Sequence, residues 1–338
     1  GLSALESQLR YISHYPDATN DDILNAIADI YGMNKNQIVV GNGAAELLYA
    51  ICRLPGYTGA FVPAPGFSEY KAALEASRIP VRDIYYRPRE DEHGKPYFEV
   101  PYLALETFAA ELKGQDGRII VFLGNPNNPD GTLLDKNHIR TIASMLKDAN
   151  SLLVIDESFI DFVGNDTLQD NEYSMRSLVN EFDNIIVVHS FTKFYAVPGL
   201  RIGAAFSNPL IIEQLNSFIP TWSVNTLAQS YTEAALNDVE YVKRTKQVLH
   251  EEQLFMYNSL DTIDGITVYP PSANFMLFHI EQEGITAESI NEALKKYNMI
   301  VRNCDSYMGL NNQWVRVAIK DHDTNVKLVE KLTDILKV

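Results

Sequence analysis

Short apolar runs alternate with helix-like segments along most of this chain, and this alternation limits its possible folds more than any other feature. The runs near Ile38–Val40, Ile119–Leu123, Leu152–Ile155 and Ile185–Val188 have the length of buried strands. Between them lie segments with helical periodicity, such as the one that begins at about Asp135. Strands alternating with helices predict a mainly parallel sheet with helices on both faces.

The pattern changes after about Asn225, where two long helical segments lead into short strands and two further helices. A chain of 338 residues is long enough to form a second core. We therefore predict a smaller α+β domain after the α/β domain. The predicted division is a large domain at residues 15–235 and a small domain at 236–338, with residues 1–14 packing near the small one.

Charge and cysteine content exclude several classes of protein. The formal net charge of −16 argues against a nucleic-acid-binding protein or one bound to anionic membranes, because both need a basic face. No apolar run approaches the length of a membrane span. Only Cys52 and Cys304 occur, far apart and without the spacing of metal ligands. We expect a cytoplasmic protein with no metal site.

A lysine follows the fourth apolar run, within the segment Ser190-Phe191-Thr192-Lys193, and Arg201 comes eight residues later. A lysine amine can form a Schiff base with an aldehyde, while hydroxyls and a guanidinium can bind a phosphate. The segment therefore predicts a site for a phosphorylated aldehyde. The alternative is a solvated lysine and an ordinary surface arginine.

Three other segments place polar groups where predicted strands end, and open α/β sheets bind ligands at the carboxyl ends of their strands. The segment Gly41–Glu46 begins a helix whose free N–H groups could bind an anion, or it is only a tight turn. Asn125–Gly131 could hold an asparagine amide rigidly. Asp156, rather than Glu157, could pair with a protonated pyridine nitrogen, or it could cap a helix.

Taken in order, these segments resemble the fold-type I pyridoxal-phosphate (PLP) enzymes, and the resemblance covers nearly the whole chain. It implies a large domain with a mainly parallel sheet and a smaller C-terminal domain. It also implies that Lys193 and Asp156 are catalytic, Lys193 as the residue that links to the cofactor and exchanges protons. The cofactor-binding residues that it implies are Tyr15 of the neighbouring subunit, Ala44, Ala45, Phe67, Asn128, Asp156, Ser190, Thr192, Lys193 and Arg201.

The resemblance also implies a homodimer that acts on a small phosphorylated amino acid. Arg302, Arg316 and Asn274 correspond to substrate-binding positions. A guanidinium binds both carboxylate and phosphate groups, so the presence of the two arginines does not by itself indicate which substrate is bound.

Within the superfamily, the chain looks like the branch that holds histidinol-phosphate aminotransferases and L-threonine-O-3-phosphate decarboxylases. Thr192–Arg201, Trp222–Asn225 and Val301–Cys304 resemble the decarboxylases. Asp156–Phe162 has phenylalanine where the aminotransferases have a tyrosine that bonds the cofactor. These segments favour decarboxylation of threonine phosphate for cobalamin biosynthesis, with glutamate-dependent amino transfer as the alternative. A third hypothesis, a non-catalytic regulator, is disfavoured because no helix-turn-helix or basic segment is present.

Overall fold

The computed structural model describes residues 2–112, 117–164, 167–169 and 171–336. Its strands are β1 (Ile38–Gly41), β2 (Tyr57–Ala64), β3 (Val81–Tyr85), β4 (Arg87–Glu90), β5 (Pro96–Glu99), β6 (Arg118–Gly124), β7 (Leu152–Asp156), β8 (Ile185–Ser190), β9 (Gly203–Phe206), β10 (Ile266–Val268), β11 (Phe275–Ile280), β12 (Arg302–Asn303) and β13 (Trp314–Ala318).

The helices follow the strands in the order that the sequence pattern predicts. The Asp135 side chain caps one of them, since it accepts hydrogen bonds from the amides of Asn137 and His138. The helices are α1 (Leu2–Gln8), α2 (Asp21–Tyr31), α3 (Gly43–Cys52), α4 (Glu69–Ala76), α5 (Tyr102–Glu111), α6 (Lys136–Asp148), α7 (Phe191–Phe194), α8 (Pro209–Asn216), α9 (Thr226–Leu236), α10 (Val239–Asp261), α11 (Ala287–Lys295) and α12 (His322–Leu336).

The larger sheet has the strand order β1-β9-β8-β7-β6-β2-β3. Strands β3, β2, β6, β7 and β8 run parallel, and β9 runs antiparallel to both of its neighbours. Residues that alternate along a strand enter different cores: Ile155 and Val187 pack on one face, and Val154 and Val188 pack on the other. Helices cover both faces, so the predicted fold class is confirmed.

A second sheet, in the order β10-β11-β13-β12, is antiparallel and packs with α10, α11 and α12 around a separate apolar core. Its register places Arg302 directly opposite Arg316. The antiparallel pair β4 and β5 lies between β3 and β6 in chain order and forms a separate two-stranded sheet. Helix α1 packs against α9. The residue boundaries of the two domains, and the placement of residues 1–14, stay predictions.

Candidate active site

Three predicted segments meet at one edge of the larger sheet. Strands β6, β7 and β8 are parallel neighbours, with Gly124 opposite Asp156 and Asp156 opposite Val188. The loop that begins at Asn125, the carboxylate of Asp156 and the segment that begins at Ser190 therefore leave the sheet side by side. This arrangement forms the crevice that an open α/β sheet uses for ligands.

One end of this crevice is suited to bind a phosphate. Ser190 and Thr192 lie with their hydroxyl oxygens 2.9 Å apart, and both side chains are buried. Ser190 pairs with Gly203, and Gly203 pairs with Gly41, so the strands bring the start of α3 beside these hydroxyls. The first N–H groups of α3 have no partner within the helix and can bind an anion.

Glycine at two positions allows this close approach. A methyl group on Gly203 would lie 2.6 Å from the Ala44 nitrogen and 2.8 Å from the His189 carbonyl oxygen. A methyl group on Gly43 would collide with the guanidinium of Arg201. Arg201 itself has a left-handed backbone with a φ of 57°. The structure thus brings the guanidinium of Arg201 and the first turn of α3, which holds Ala44 and Ala45, to the strand end that carries Ser190.

Lys193 lies in the four-residue helix α7, just beyond the end of β8. Its amine is 5.4 Å from the centre of the Phe159 ring, and no hydrogen-bond acceptor or ion-pair partner contacts it among the described residues. Burial lowers the pKa of Lys193, and the negative charge of Asp156 opposes that change. Lys193 lines a cavity of about 500 Å³ together with Asn274.

Asp156 is almost fully buried at the end of the central strand β7. It accepts a hydrogen bond of 2.9 Å from the Tyr70 hydroxyl and another of 2.9 Å from the Ser158 amide. Burial raises the pKa of Tyr70 well above its ordinary value, so this residue remains a donor. Phe67, which the resemblance places on the cofactor ring, contacts Tyr70 edge to face with ring centres 5.7 Å apart.

Glu157, the next residue, lies in a different environment from Asp156. Its carboxylate accepts hydrogen bonds from the side chains of Asn125 and Ser174 and from the Met175 amide. Arg176 lies 3.8 Å from it. Glu157 is fully buried in this network and stabilises the loop rather than the crevice.

Residues of the smaller sheet line the side of the crevice where the resemblance places substrate-binding residues. Arg316 donates to the side-chain oxygen of Asn128, which also accepts a 3.1 Å hydrogen bond from the Tyr307 hydroxyl. Arg302 donates to the Ser306 hydroxyl at 2.9 Å. The two arginines line one cavity of about 810 Å³. Asn274 lines the same cavity, and its side-chain oxygen is buried without a hydrogen-bond partner in the described part of the chain.

Tyr15 is not brought into this crevice within one chain. Its side chain is 78% exposed and stacks on Trp222, with ring centres 4.3 Å apart. The proposed contact with a neighbouring subunit therefore stays a prediction.

The residues of the crevice fit PLP on the chemistry of their donors and acceptors. A cluster of hydroxyls, a guanidinium and helix N–H groups suits the phosphate, and the buried carboxylate of Asp156 suits a protonated pyridine nitrogen. The Asn128 oxygen is already bonded, which leaves its Nδ2 group to donate to the phenolic oxygen. The amine of Lys193 lies in the same crevice without a competing acceptor among the described residues.

Sequence reasoning missed two residues of this site, Tyr70 and Tyr307. Tyr70 lies in α4 and Tyr307 follows β12, so neither stands at the end of a parallel strand. Their hydroxyls enter the site only through tertiary packing. The helical spacing of Tyr70 indicates a buried face, but it gives no sign of the carboxylate that the hydroxyl contacts.

The chain matches the family model of aminotransferase classes I and II over residues 4–332. It therefore belongs to the class I and II aminotransferase family, whose enzymes depend on PLP. In the described part of the chain, no helix combines the length and apolarity needed to cross a membrane.

Relatives of two kinds are similar to this chain. The adenosylcobalamin biosynthesis bifunctional protein CobDQ of Leptospira interrogans is 31% identical over 332 residues, which are 98% of this chain but only 36% of that protein. The threonine-phosphate decarboxylase of Salmonella typhimurium is 31% identical over 339 residues, covering 98% of this chain and 86% of that protein. The histidinol-phosphate aminotransferase of Methanothermobacter thermautotrophicus is 28% identical over 340 residues, covering 99% and 85%.

Solved structures of both kinds share the fold. The histidinol-phosphate aminotransferase of Clostridium acetobutylicum superposes with a TM-score of 0.86 at 24% identity, covering 99% of this chain and 95% of that one. The L-threonine-O-3-phosphate decarboxylase of Porphyromonas gingivalis superposes with a TM-score of 0.82 at 24% identity, covering 99% and 94%. The fold alone therefore does not distinguish a decarboxylase from an aminotransferase.

Proposed function

We propose that this protein decarboxylates L-threonine O-3-phosphate to (R)-1-aminopropan-2-yl phosphate for cobalamin biosynthesis, with PLP as cofactor. We further propose a cytoplasmic homodimer in which Tyr15 reaches the neighbouring subunit's cofactor phosphate. The names of the two relatives that are 31% identical, one in adenosylcobalamin biosynthesis and one a threonine-phosphate decarboxylase, support this choice.

The observation that carries the proposal is the pair of arginines on the smaller sheet. Arg302 and Arg316 lie opposite each other on β12 and β13 and line one cavity. Threonine phosphate carries two anionic groups, a carboxylate and a phosphate, and each can pair with one guanidinium. Arg316 contacts Asn128 and therefore lies nearer the cofactor ring, so we assign it to the carboxylate. Arg302 is exposed and suits the outer phosphate.

The residues of the crevice have separate tasks in this reaction. PLP, when bound, supplies an electron sink for the pair of electrons that a broken bond leaves on the substrate α-carbon. Asp156 would hold a proton on the pyridine nitrogen, and Asn128 would donate to the phenolic oxygen. Arg316 holds the carboxylate in the orientation from which carbon dioxide leaves. Lys193 then gives a proton from Nζ to the α-carbon.

The direct test is incubation of the PLP-loaded enzyme with L-threonine O-3-phosphate while released carbon dioxide is measured. We expect one carbon dioxide for each substrate consumed. A Lys193→Ala variant should lose at least about 10²–10⁴-fold in rate, because the positioned proton donor is removed. A Lys331→Ala variant, which removes an amine on α12 that pairs with Asp334 at 3.3 Å, serves as the control and should keep the full rate.

The alternative is amino transfer of the histidinol-phosphate type with glutamate and 2-oxoglutarate. The 28% identical relative of that name supports it. Conversion of histidinol phosphate in the presence of 2-oxoglutarate, with no carbon dioxide from threonine phosphate, would establish the alternative and contradict our proposal.

A further inference from the structure

Tyr307 contacts three residues of the proposed site without being part of any sequence motif. Its hydroxyl donates to Asn128 Oδ1 at 3.1 Å and lies 3.4 Å from Arg316 Nη1. Its ring lies under the guanidinium of Arg302, with 5.6 Å between the guanidinium carbon and the ring centre. The side chain is half-buried. The backbone of Tyr307 is fixed by two hydrogen bonds, from its N–H to the Cys304 carbonyl and from the Leu310 N–H to its own carbonyl.

These contacts determine the orientation of the Asn128 amide. A guanidinium can only donate, so the atom of Asn128 that faces Arg316 must be its oxygen. The Tyr307 hydroxyl donates to the same oxygen. With Oδ1 held by two donors, Nδ2 points to the opposite side, where it can donate to an anionic oxygen.

We expect substrate binding to weaken the hydrogen bond from Arg316 to Asn128. In the proposed function, a substrate carboxylate binds this guanidinium, and a charged acceptor competes strongly with a neutral amide oxygen. When Arg316 turns toward the substrate, the Tyr307 hydroxyl is the remaining donor in contact with Asn128 Oδ1 among the described residues.

We propose that Tyr307 is a positioning residue, whose hydroxyl keeps Nδ2 of Asn128 directed at the phenolic oxygen of the cofactor while Arg316 binds substrate. The inference rests on the proposed function for the location of the cofactor and of the anion that occupies Arg316. It assigns to Tyr307 no direct contact with either molecule.

The absorption spectrum of the PLP-loaded protein tests this role without turnover. An N–H that donates to the phenolic oxygen stabilises its ionised form, so a weaker contact should raise the pKa of the bound chromophore. In Tyr307→Phe the ring under Arg302 is kept and only the hydroxyl is lost. We expect this pKa to rise by about half a unit to one unit in saturating inorganic phosphate, which occupies the arginines, and by less without phosphate.

Two further variants make the result specific. Tyr57 is a matched control, because its ring also lies under a guanidinium, that of Arg118 at 5.0 Å, but at the opposite end of β2 from the crevice. Tyr57→Phe should leave the pKa of the chromophore unchanged. In an Asn128→Ala background, Tyr307→Phe should cause no additional shift, because the amide through which it acts is absent.

The inference is overturned if Tyr307→Phe has the wild-type chromophore pKa with and without phosphate. It is equally overturned if the shift persists in the Asn128→Ala background, which would indicate a general structural effect. A protein that forms the chromophore and shows the expected shifts, yet releases no carbon dioxide, would refute the proposed reaction alone. A protein that forms no chromophore would refute both, since Asn128 would then have no cofactor oxygen to contact.

Discussion

Replacing Gly203 with alanine should weaken binding of the PLP phosphate, because the added methyl group meets backbone on two sides. It would lie 2.6 Å from the Ala44 nitrogen and 2.8 Å from the His189 carbonyl oxygen, and backbone atoms cannot rotate away as a side-chain tip can. Overpacking of this kind costs about 1–3 kcal/mol in unfolding free energy. The start of α3 must then move away from Ser190.

The loss should appear in the phosphate contact above all. Weakening one charge-assisted hydrogen bond costs about 1.5–3 kcal/mol, which corresponds to about 10- to 100-fold in Kd. The assay is titration of the apoprotein with PLP and, separately, with pyridoxal, which lacks the phosphate. We expect the Kd for PLP to rise by this factor and the Kd for pyridoxal to remain unchanged.

Gly199→Ala provides the matched control, because no atom lies within 4 Å of the position its methyl group would take. It should bind PLP as the wild type does. The reasoning would be refuted if both variants bound PLP equally well, or if Gly203→Ala weakened binding of pyridoxal as much as binding of PLP.

Three further predictions concern buried groups. Burial lowers the pKa of Lys193 from its ordinary 10.5, so between the folded-state pKa and 10.5 this residue binds more protons in the unfolded chain, and its own contribution to apoprotein stability should rise with pH. Urea unfolding at several pH values should show the wild type gaining stability relative to Lys193→Met as the pH rises through this range. Tyr70→Phe removes a donor from a buried carboxylate and should cost about 1.5–3 kcal/mol in urea unfolding. Tyr86→Phe, which removes a buried hydroxyl without a partner in the described residues, should cost little or nothing. Burial raises the pKa of Cys52 to about 12 and that of Cys304 to about 11, so neither thiol should react with an aromatic disulfide at pH 8 until the protein unfolds.

The parallel part of the fold could be predicted because its strands are buried on both faces. Runs such as Leu152–Ile155 and Ile185–Val188 are continuously apolar, and the polar residue that ends each run marks the edge where ligands bind. This signal is local in the sequence. It predicts Asp156, Ser190 and Lys193 as site residues from the sequence alone.

Features that depend on pairing between distant segments gave no such signal. Strand β9 is only four residues long and runs antiparallel, so its role in joining Gly41 to Ser190 follows from register and not from periodicity. The hairpin of β4 and β5 is largely exposed and carries no continuous apolar run. Contacts made by a hydroxyl at the end of a long side chain, such as that of Tyr307, likewise depend on tertiary packing.

The position of Asp156 on β7 has a consequence for the motions of this protein. Strand β7 is the fourth of seven, so hydrogen-bonded neighbours flank it on both sides. Amide protons of such a strand exchange with deuterated water only when the whole domain opens, whereas those of a short helix beyond the sheet exchange by local fraying. We therefore expect the carboxylate of Asp156 to lie on a slowly exchanging strand, and the amine of Lys193 to lie on the short helix after β8, where local motion costs less free energy.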